Sequence, residues 1–216
     1  LINIETLFSA KELVSNLGGR TECRIADTCI PPNDRGLYAG TVPIEEINNS
    51  EIIFIIGSNP RIEAPVLNAR IRNSWLKGTE VNLVGEKSDL TYEYNHIGTS
   101  LSELDKIIKS KTRLFANKRI LIILGQGVFS RNDGYEALEV VKKFKESLNA
   151  ELISLHVAAS RVGAMDLNFV SDPGYSSSIE WSDIILNIGM DEYDLPEDKF
   201  VIYQGSHGDR GAHNAD

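Results

Sequence analysis

Apolar residues fall along this chain in short unbroken runs, each closed by a glycine: "IIFIIG" (52–57), "ILIILG" (120–125), "IILNIG" (184–189) and "FVIYQG" (200–205). A strand that is apolar at successive positions rather than alternate ones is buried on both faces, the condition of a parallel sheet covered by helices. "VNLVG" (81–85) reads as a further strand, and "ECRI" (22–25) and "LISLH" (152–156) as weaker ones. Between the runs apolar residues recur about every four positions. Leu67, Ile71 and Trp75 form a stripe after Pro65, which suits a first helical turn, and Gly78 supplies the stop. Ala137, Val141, Phe144 and Leu148 form a second stripe after Asn132-Asp133-Gly134, and Leu7, Ala10, Val14 and Leu17 a third, ended by Gly18-Gly19. All three are expected to be core. The pattern predicts an α/β fold.

Composition narrows this little. The 216 residues, 42% hydrophobic and 25% charged, suit a globule that buries about 70% of its unfolded surface. Charge does more. A net charge of -9 gives a field that repels phosphate backbones and carries no nucleic-acid footprint. Cys23 and Cys29 are the only cysteines, too few for a metal or cluster set, and idle thiols in a reducing compartment are the expectation. No apolar run approaches the roughly 20 residues of a membrane span. The opening Leu1 and the terminal "GSHGDRGAHNAD" are expected to mark an excised piece whose second half is truncated. The basic segment "KIIKSKTRLFANKR" (106–119) offers the best internal boundary, dividing a first α/β unit (1–114) from a second (115–216).

Parallel α/β sheets place ligands at the carboxyl ends of their strands, where helix N-termini converge. Two loops hold that place: Gly57-Ser58-Asn59-Pro60 and Gly125-Gln126-Gly127. Glycine lets backbone approach a phosphate closely, and Asn59, held extended by Pro60, can offer an amide. The second loop lacks the dinucleotide fingerprint, since Ser130 stands where a third glycine is needed and the next strand ends in Leu155-His156 without an acid for a ribose. A P-loop motif is absent as well. Arg61, Arg70 and Arg72 cluster around the first loop, either to meet a phosphate or a partner's carboxylate, or as solvated helix arginines paired with neighbouring acids. His207 and His213 share the terminal loop with Asp209 and Arg210 at a spacing foreign to zinc, so a hydrogen-bonding loop is expected there. His96 and His156 read as core or surface residues. Ser58, Ser160 and Ser206 lack a nucleophile-elbow setting, and no catalytic or metal-ligating residue is assigned.

The segments "IGSNPRIEAPVLNARIR" (56–72), "GQGVFSRNDGYEAL" (125–138), "HVAASRVGAMDLNF" (156–169) and "YQGSHGDRGAHNAD" (203–216) resemble, in order, the large iron–sulfur subunit of the NADH-quinone oxidoreductases, respiratory complex I. That subunit is similar in its C-terminal part to the molybdopterin oxidoreductases. The resemblance implies mostly parallel, doubly wound sheets with helices on both faces and Rossmann-like halves. In the pterin enzymes, loops matching "GSNP" and "GQG" hold a guanine dinucleotide, which makes Gly57, Ser58, Asn59, Arg61, Gly125, Gln126 and Gly127 the candidate cradle. The resemblance also implies that the cradle is vestigial, with no cofactor in this segment. The parent subunit's 2Fe-2S and 4Fe-4S clusters are expected elsewhere, and Arg70, Arg72, His207, Asp209 and Arg210 serve conformation or partner contact. The implied role is structural, within the peripheral arm, against other complex I subunits, on the cytoplasmic face of a bacterial membrane or the mitochondrial matrix side. A domain that still binds a pterin guanine dinucleotide or another nucleotide is the alternative, and a free-standing NAD enzyme a weaker third.

Overall fold

The computed structural model describes residues 2–24, 28–111, 115, 117–172 and 174–216. In chain order the elements are α1 (Ile4–Asn16), α2 (Arg35–Tyr38), a 3-10 turn (Ile44–Asn48), β1 (Ile52–Ile56), α3 (Pro60–Glu63), α4 (Pro65–Trp75), β2 (Glu80–Val84), β3 (Asn95–Gly98), α5 (Ser102–Lys111), β4 (Ile120–Leu124), α6 (Gln126–Phe129), α7 (Gly134–Leu148), β5 (Glu151–Ser154), α8 (Arg161–Asp166), α9 (Tyr175–Trp181), β6 (Ile184–Ile188), β7 (Phe200–Gln204) and α10 (Arg210–His213). They group into two compact units. One is Thr28–Val157; the other joins Leu1–Asp27 to Ala158–Asp216.

Thr28–Val157 is built on five parallel strands in the order β3-β2-β1-β4-β5. The apolar runs at 52 and 120 become β1 and β4, which pair in register from Ile52 opposite Ile120 to Ile56 opposite Leu124, and all ten residues are buried. Both faces are covered, as unbroken apolar strands require. On one, Ile53, Ile55, Leu83, Leu121 and Ile123 pack with Leu67 and Ile71 of α4 and with Ile47. On the other, Phe54 meets Phe144 of α7 edge to face at 5.0 Å. The fold is thus α/β and doubly wound, and the sheet runs straight through the expected division at 114/115, since β1 and β4 from either side of it are neighbours. Residues 112–114 and 116 of the basic segment lie outside the described residues.

The other unit carries β6 and β7, a parallel pair in register from Ile184 opposite Phe200 to Ile188 opposite Gln204. Here α1 and α8 associate, with Lys11 Nζ donating to the Leu167 carbonyl at 2.6 Å. Of the α1 stripe only Leu7 and Ala10 are buried, whereas Leu17 follows the helix as its C-cap and is 78% exposed. That corrects its expected place in the core. The expected strand at 22–25 is also corrected: Glu22–Arg24 are not extended into a ladder, because the Glu22 carboxylate accepts the N–H groups of Cys23 and Arg24 at 2.9 and 2.8 Å, removing the donors a ladder needs. Ile25 lies outside the described residues. The same carboxylate forms an ion pair with the Arg24 guanidinium at 2.8 Å, both side chains being 7% exposed.

Candidate functional site

The strand order makes β1 the pivot of the sheet: β2 and β3 extend from one side of it, β4 and β5 from the other. In open α/β sheets the ligand crevice lies at such a reversal, beyond the carboxyl ends of the two strands that flank it. The turns at Gly57 and Gly125 occupy that point. The structure therefore brings the two sequence-predicted loops together.

They are in direct contact. Gly57 turns the chain with φ of 61°, a conformation costly for residues with a Cβ, and its N–H donates to Val84 O at 2.9 Å. Gly125 N–H donates to Ile56 O and Gly127 N–H to Gly57 O, each at 2.9 Å. A Cβ on Gly125 would lie 2.3 Å from Ser58 Cβ and 2.5 Å from Gly57 O, and one on Gly127 only 2.7 Å from Gly57 O. The space that glycine leaves beside each backbone is filled by the opposite turn.

The backbone N–H groups of Asn59 and Gln126 are engaged as well. Asn59 caps α3, its Oδ1 accepting from Arg61 N–H at 3.2 Å, and Pro60 begins that helix without an N–H to satisfy. Glu63, one turn further on, folds back so that one carboxylate oxygen accepts Asn59 N–H at 2.8 Å and the other accepts Gln126 N–H at 3.4 Å. A carboxylate thus bridges the two loops as a phosphate would. The Gln126 side chain donates to Ser130 Oγ at 2.9 Å, so the residue standing in place of the fingerprint's third glycine anchors this loop. Ser58 Oγ is buried without a hydrogen-bond partner, beneath the contact of the turns.

The arginines point elsewhere. Arg61 pairs with the Asp89 carboxylate and also donates to Asp89 O at 3.2 Å. Hydrogen bonds from Thr91 N–H and from Arg61 hold the Asp89 carboxyl below its ordinary range. Arg72 Nε donates to Thr91 O at 3.2 Å, so both arginines brace the 89–91 loop, while Arg70 is half-buried on α4. Arg61 follows the reading of a helix arginine paired with a neighbouring acid.

In the other unit, Asp209 caps α10 through Ala212 N–H at 3.1 Å and accepts from Tyr203 OH at 2.5 Å, a bond that lowers the Asp209 carboxyl and raises the phenol to about 12. Arg210 forms a two-pronged pair with Asp194, and His207 Nδ1 meets Ser206 Oγ at 2.8 Å. These bonds tie the terminal loop to Asp194 and to β7. Cys23 has its sulfur 3.6 Å from that of Met165 and is pushed up to about 12 by burial, and Cys29 is buried in Thr28–Val157. His156 bonds the Tyr38 carbonyl and stacks on Phe129, and His96 bonds Gly85 O at 2.8 Å.

Glu63 is the participant that reading by motif missed. Its signal was an acid four residues after the Asn59 cap, a spacing close to that of a capping box. Its bond to Gln126, 63 residues away, leaves no local trace. A pterin dinucleotide would need free N–H donors for its phosphates and a site without fixed negative charge. The residues present do not fit it: Gly57, Asn59, Gly125, Gln126 and Gly127 all direct their N–H groups to protein acceptors, two of them to a carboxylate.

Fold and crevice together define a doubly wound α/β domain whose two switch-point turns press on each other. The family profile of the molybdopterin oxidoreductases matches residues 1–216, and the chain belongs to that family. Among its relatives, the mitochondrial 78 kDa subunit of NADH-ubiquinone oxidoreductase from Neurospora crassa is 34% identical over 235 residues, covering 100% of this chain and 32% of that protein. The 75 kDa subunit of the same enzyme from Reclinomonas americana is 34% identical over 247 residues, covering 100% and 36%. A subunit of the NADH-quinone oxidoreductase from Rickettsia bellii is 33% identical over 232 residues, covering 100% and 33%. The resemblance seen in the motifs thus extends over the whole chain, and the chain spans about a third of the length of these curated relatives.

Proposed function

We propose that this chain is a structural, non-catalytic part of the large iron–sulfur subunit of an NADH-quinone oxidoreductase, in which a former dinucleotide cradle serves as scaffold. The Glu63 bridge carries this reading. By accepting the Asn59 and Gln126 N–H groups it supplies from within the anion that a nucleotide would supply from outside, and it repels any phosphate brought to the same place. The names of the relatives support the parent enzyme, which carries electrons from NADH toward quinone. In this reading the clusters lie in other parts of the subunit, and the domain docks against further subunits of the peripheral arm, on the cytoplasmic or matrix side. No helix among the described residues is long and apolar enough to cross a membrane, which agrees with a peripheral placement.

A second reading, a domain that still binds a guanine dinucleotide, is favoured by one observation, the partnerless Ser58 hydroxyl at the switch point. Thermal unfolding of the chain in excess GDP, guanosine dinucleotides and NADH separates the readings. A ligand at a hundred times its Kd stabilises by about 2.7 kcal/mol, a rise of roughly 5 to 10 °C for a domain of this size. The scaffold reading expects no rise with any of them. A rise with guanine compounds alone establishes a working cradle, and one with NADH alone a dehydrogenase site.

A further inference from the structure

Helix α4 is apolar on two opposite sides. Leu67 and Ile71 face the sheet, and Ser74 binds the Ile47 carbonyl. On the outward side Val66, Ala69, Asn73 and Leu76 are exposed, Val66 at 85% and Leu76 at 61%. Their spacing of three, four and three residues sets them in one line, the pattern of a coiled-coil seam. Ile62 of α3, 76% exposed, precedes them. A helix lying on a core ordinarily turns a polar side to water. This one turns a narrow apolar stripe, with Arg70 and Lys77 along one edge and Arg72 along the other.

The charges are one-sided. Residues 65–78 hold three basic side chains and no acid, in a chain of net charge -9. The phosphate role offered by the sequence for these arginines has no support in the geometry, since α4 begins beyond the cradle and Arg72 reaches the 89–91 loop.

We infer that the outward side of α4 is the seat of a helix from another protein, apolar along its contact line and flanked by Asp and Glu. The inference rests on the reading of the chain as part of a subunit in a larger assembly. A helix fits because the stripe is one residue wide and about 16 Å long, the length of the 11 residues of α4. Acidic flanks fit because Arg70, Arg72 and Lys77 then gain carboxylate partners at the rim. Asn73, a polar residue inside the seam, fixes the register of the incoming helix. A membrane surface fits less well: it favours a broad apolar side with deep aromatic and leucine insertion, and this stripe is narrow and without an aromatic residue.

The test uses the full-length protein in its purified NADH-quinone oxidoreductase assembly. A photoreactive benzophenone amino acid at position 66 or 76 is irradiated and the joined peptides are sequenced. The expected product links either position to a segment of another subunit with apolar residues three and four apart and Asp or Glu beside them. In parallel, Val66→Glu with Leu76→Glu is expected to lower retention of that subunit at least tenfold, and Arg70→Glu with Lys77→Glu to lower it less and more strongly at low salt, with unfolding midpoints unchanged. Links to lipid, to a basic segment, or to nothing overturn the inference, as does full retention in the Val66→Glu/Leu76→Glu assembly. If the unaltered protein enters no such assembly, the subunit reading fails and this inference with it. If it assembles and only the substitutions are silent, the stripe alone is refuted.

Discussion

Strands β1 and β6 carry similar sequences, IIFII and IILNI, each followed by glycine, and the local geometry they adopt is the same. Gly57 and Gly189 have φ of 61° and 64°, and each donates its N–H to the neighbouring strand at 2.9 Å, to Val84 O and Gln204 O respectively. Their surroundings differ. All five residues of β1 are buried between two strands and two layers of helices, whereas β6, among the described residues, pairs with β7 alone and leaves Ile184 63% exposed, opposite Phe200 at 54%. A strand and its closing turn are specified by neighbours along the chain; burial is specified by what the rest of the polypeptide brings. The turns diverge in the same way. The space beside Gly57 is taken by Gly127 of the second loop and Val128 of α6, and that beside Gly189 by the Ile2 side chain.

The largest expected effect tests the sealed strand. Phe54 is fully buried against Phe144, so Phe54→Ala should destabilise Thr28–Val157 by about 3–5 kcal/mol in chemical denaturation. A loss under 1 kcal/mol would show the sheet to be less covered than described. Gly125→Ala comes next: its methyl would meet Ser58 Cβ and Gly57 O, forcing the turns apart at a cost of about 1–3 kcal/mol. An unchanged midpoint would mean that the turns do not press together in solution. The smallest effect belongs to the open strand. Ile202, 47% exposed on β7, should tolerate Ile202→Thr within about 0.5 kcal/mol, and a loss above 2 kcal/mol would reveal a cover over β6 and β7.

These contrasts show what the sequence could disclose. Uninterrupted apolar runs revealed β1, β4 and the parallel sheet, because a strand buried on both sides has no polar position to hide it. β3 escaped notice because Asn95–Gly98 lies at the sheet edge, half-exposed, and pairs with a register shift between Leu83 and Val84. The division at 114/115 followed local charge, whereas the observed units depend on contacts joining the first 27 residues to the last 59, a closure with no local signature. Glycine spacing singled out two loops that the fold brings into contact. Their meaning was not legible there: a glycine that admits a phosphate and one that admits another turn are the same letter. In the proposed scaffold role, Glu63 decides between them through a contact 63 residues away.

In the proposed scaffold role, Glu63 fills the cradle. Its most direct test follows the backbone N–H signals of Asn59 and Gln126 by NMR during an acid titration, with Glu63→Gln as the comparison. An amide bonded to a carboxylate shifts when that carboxylate takes up a proton. Both signals are expected to move together in the unaltered chain, Asn59 further than Gln126 because its bond is shorter, 2.8 against 3.4 Å, and neither is expected to move in the Glu63→Gln chain. Signals that ignore the titration in the unaltered chain, but shift when GDP is added, would contradict it and restore the cradle to a nucleotide.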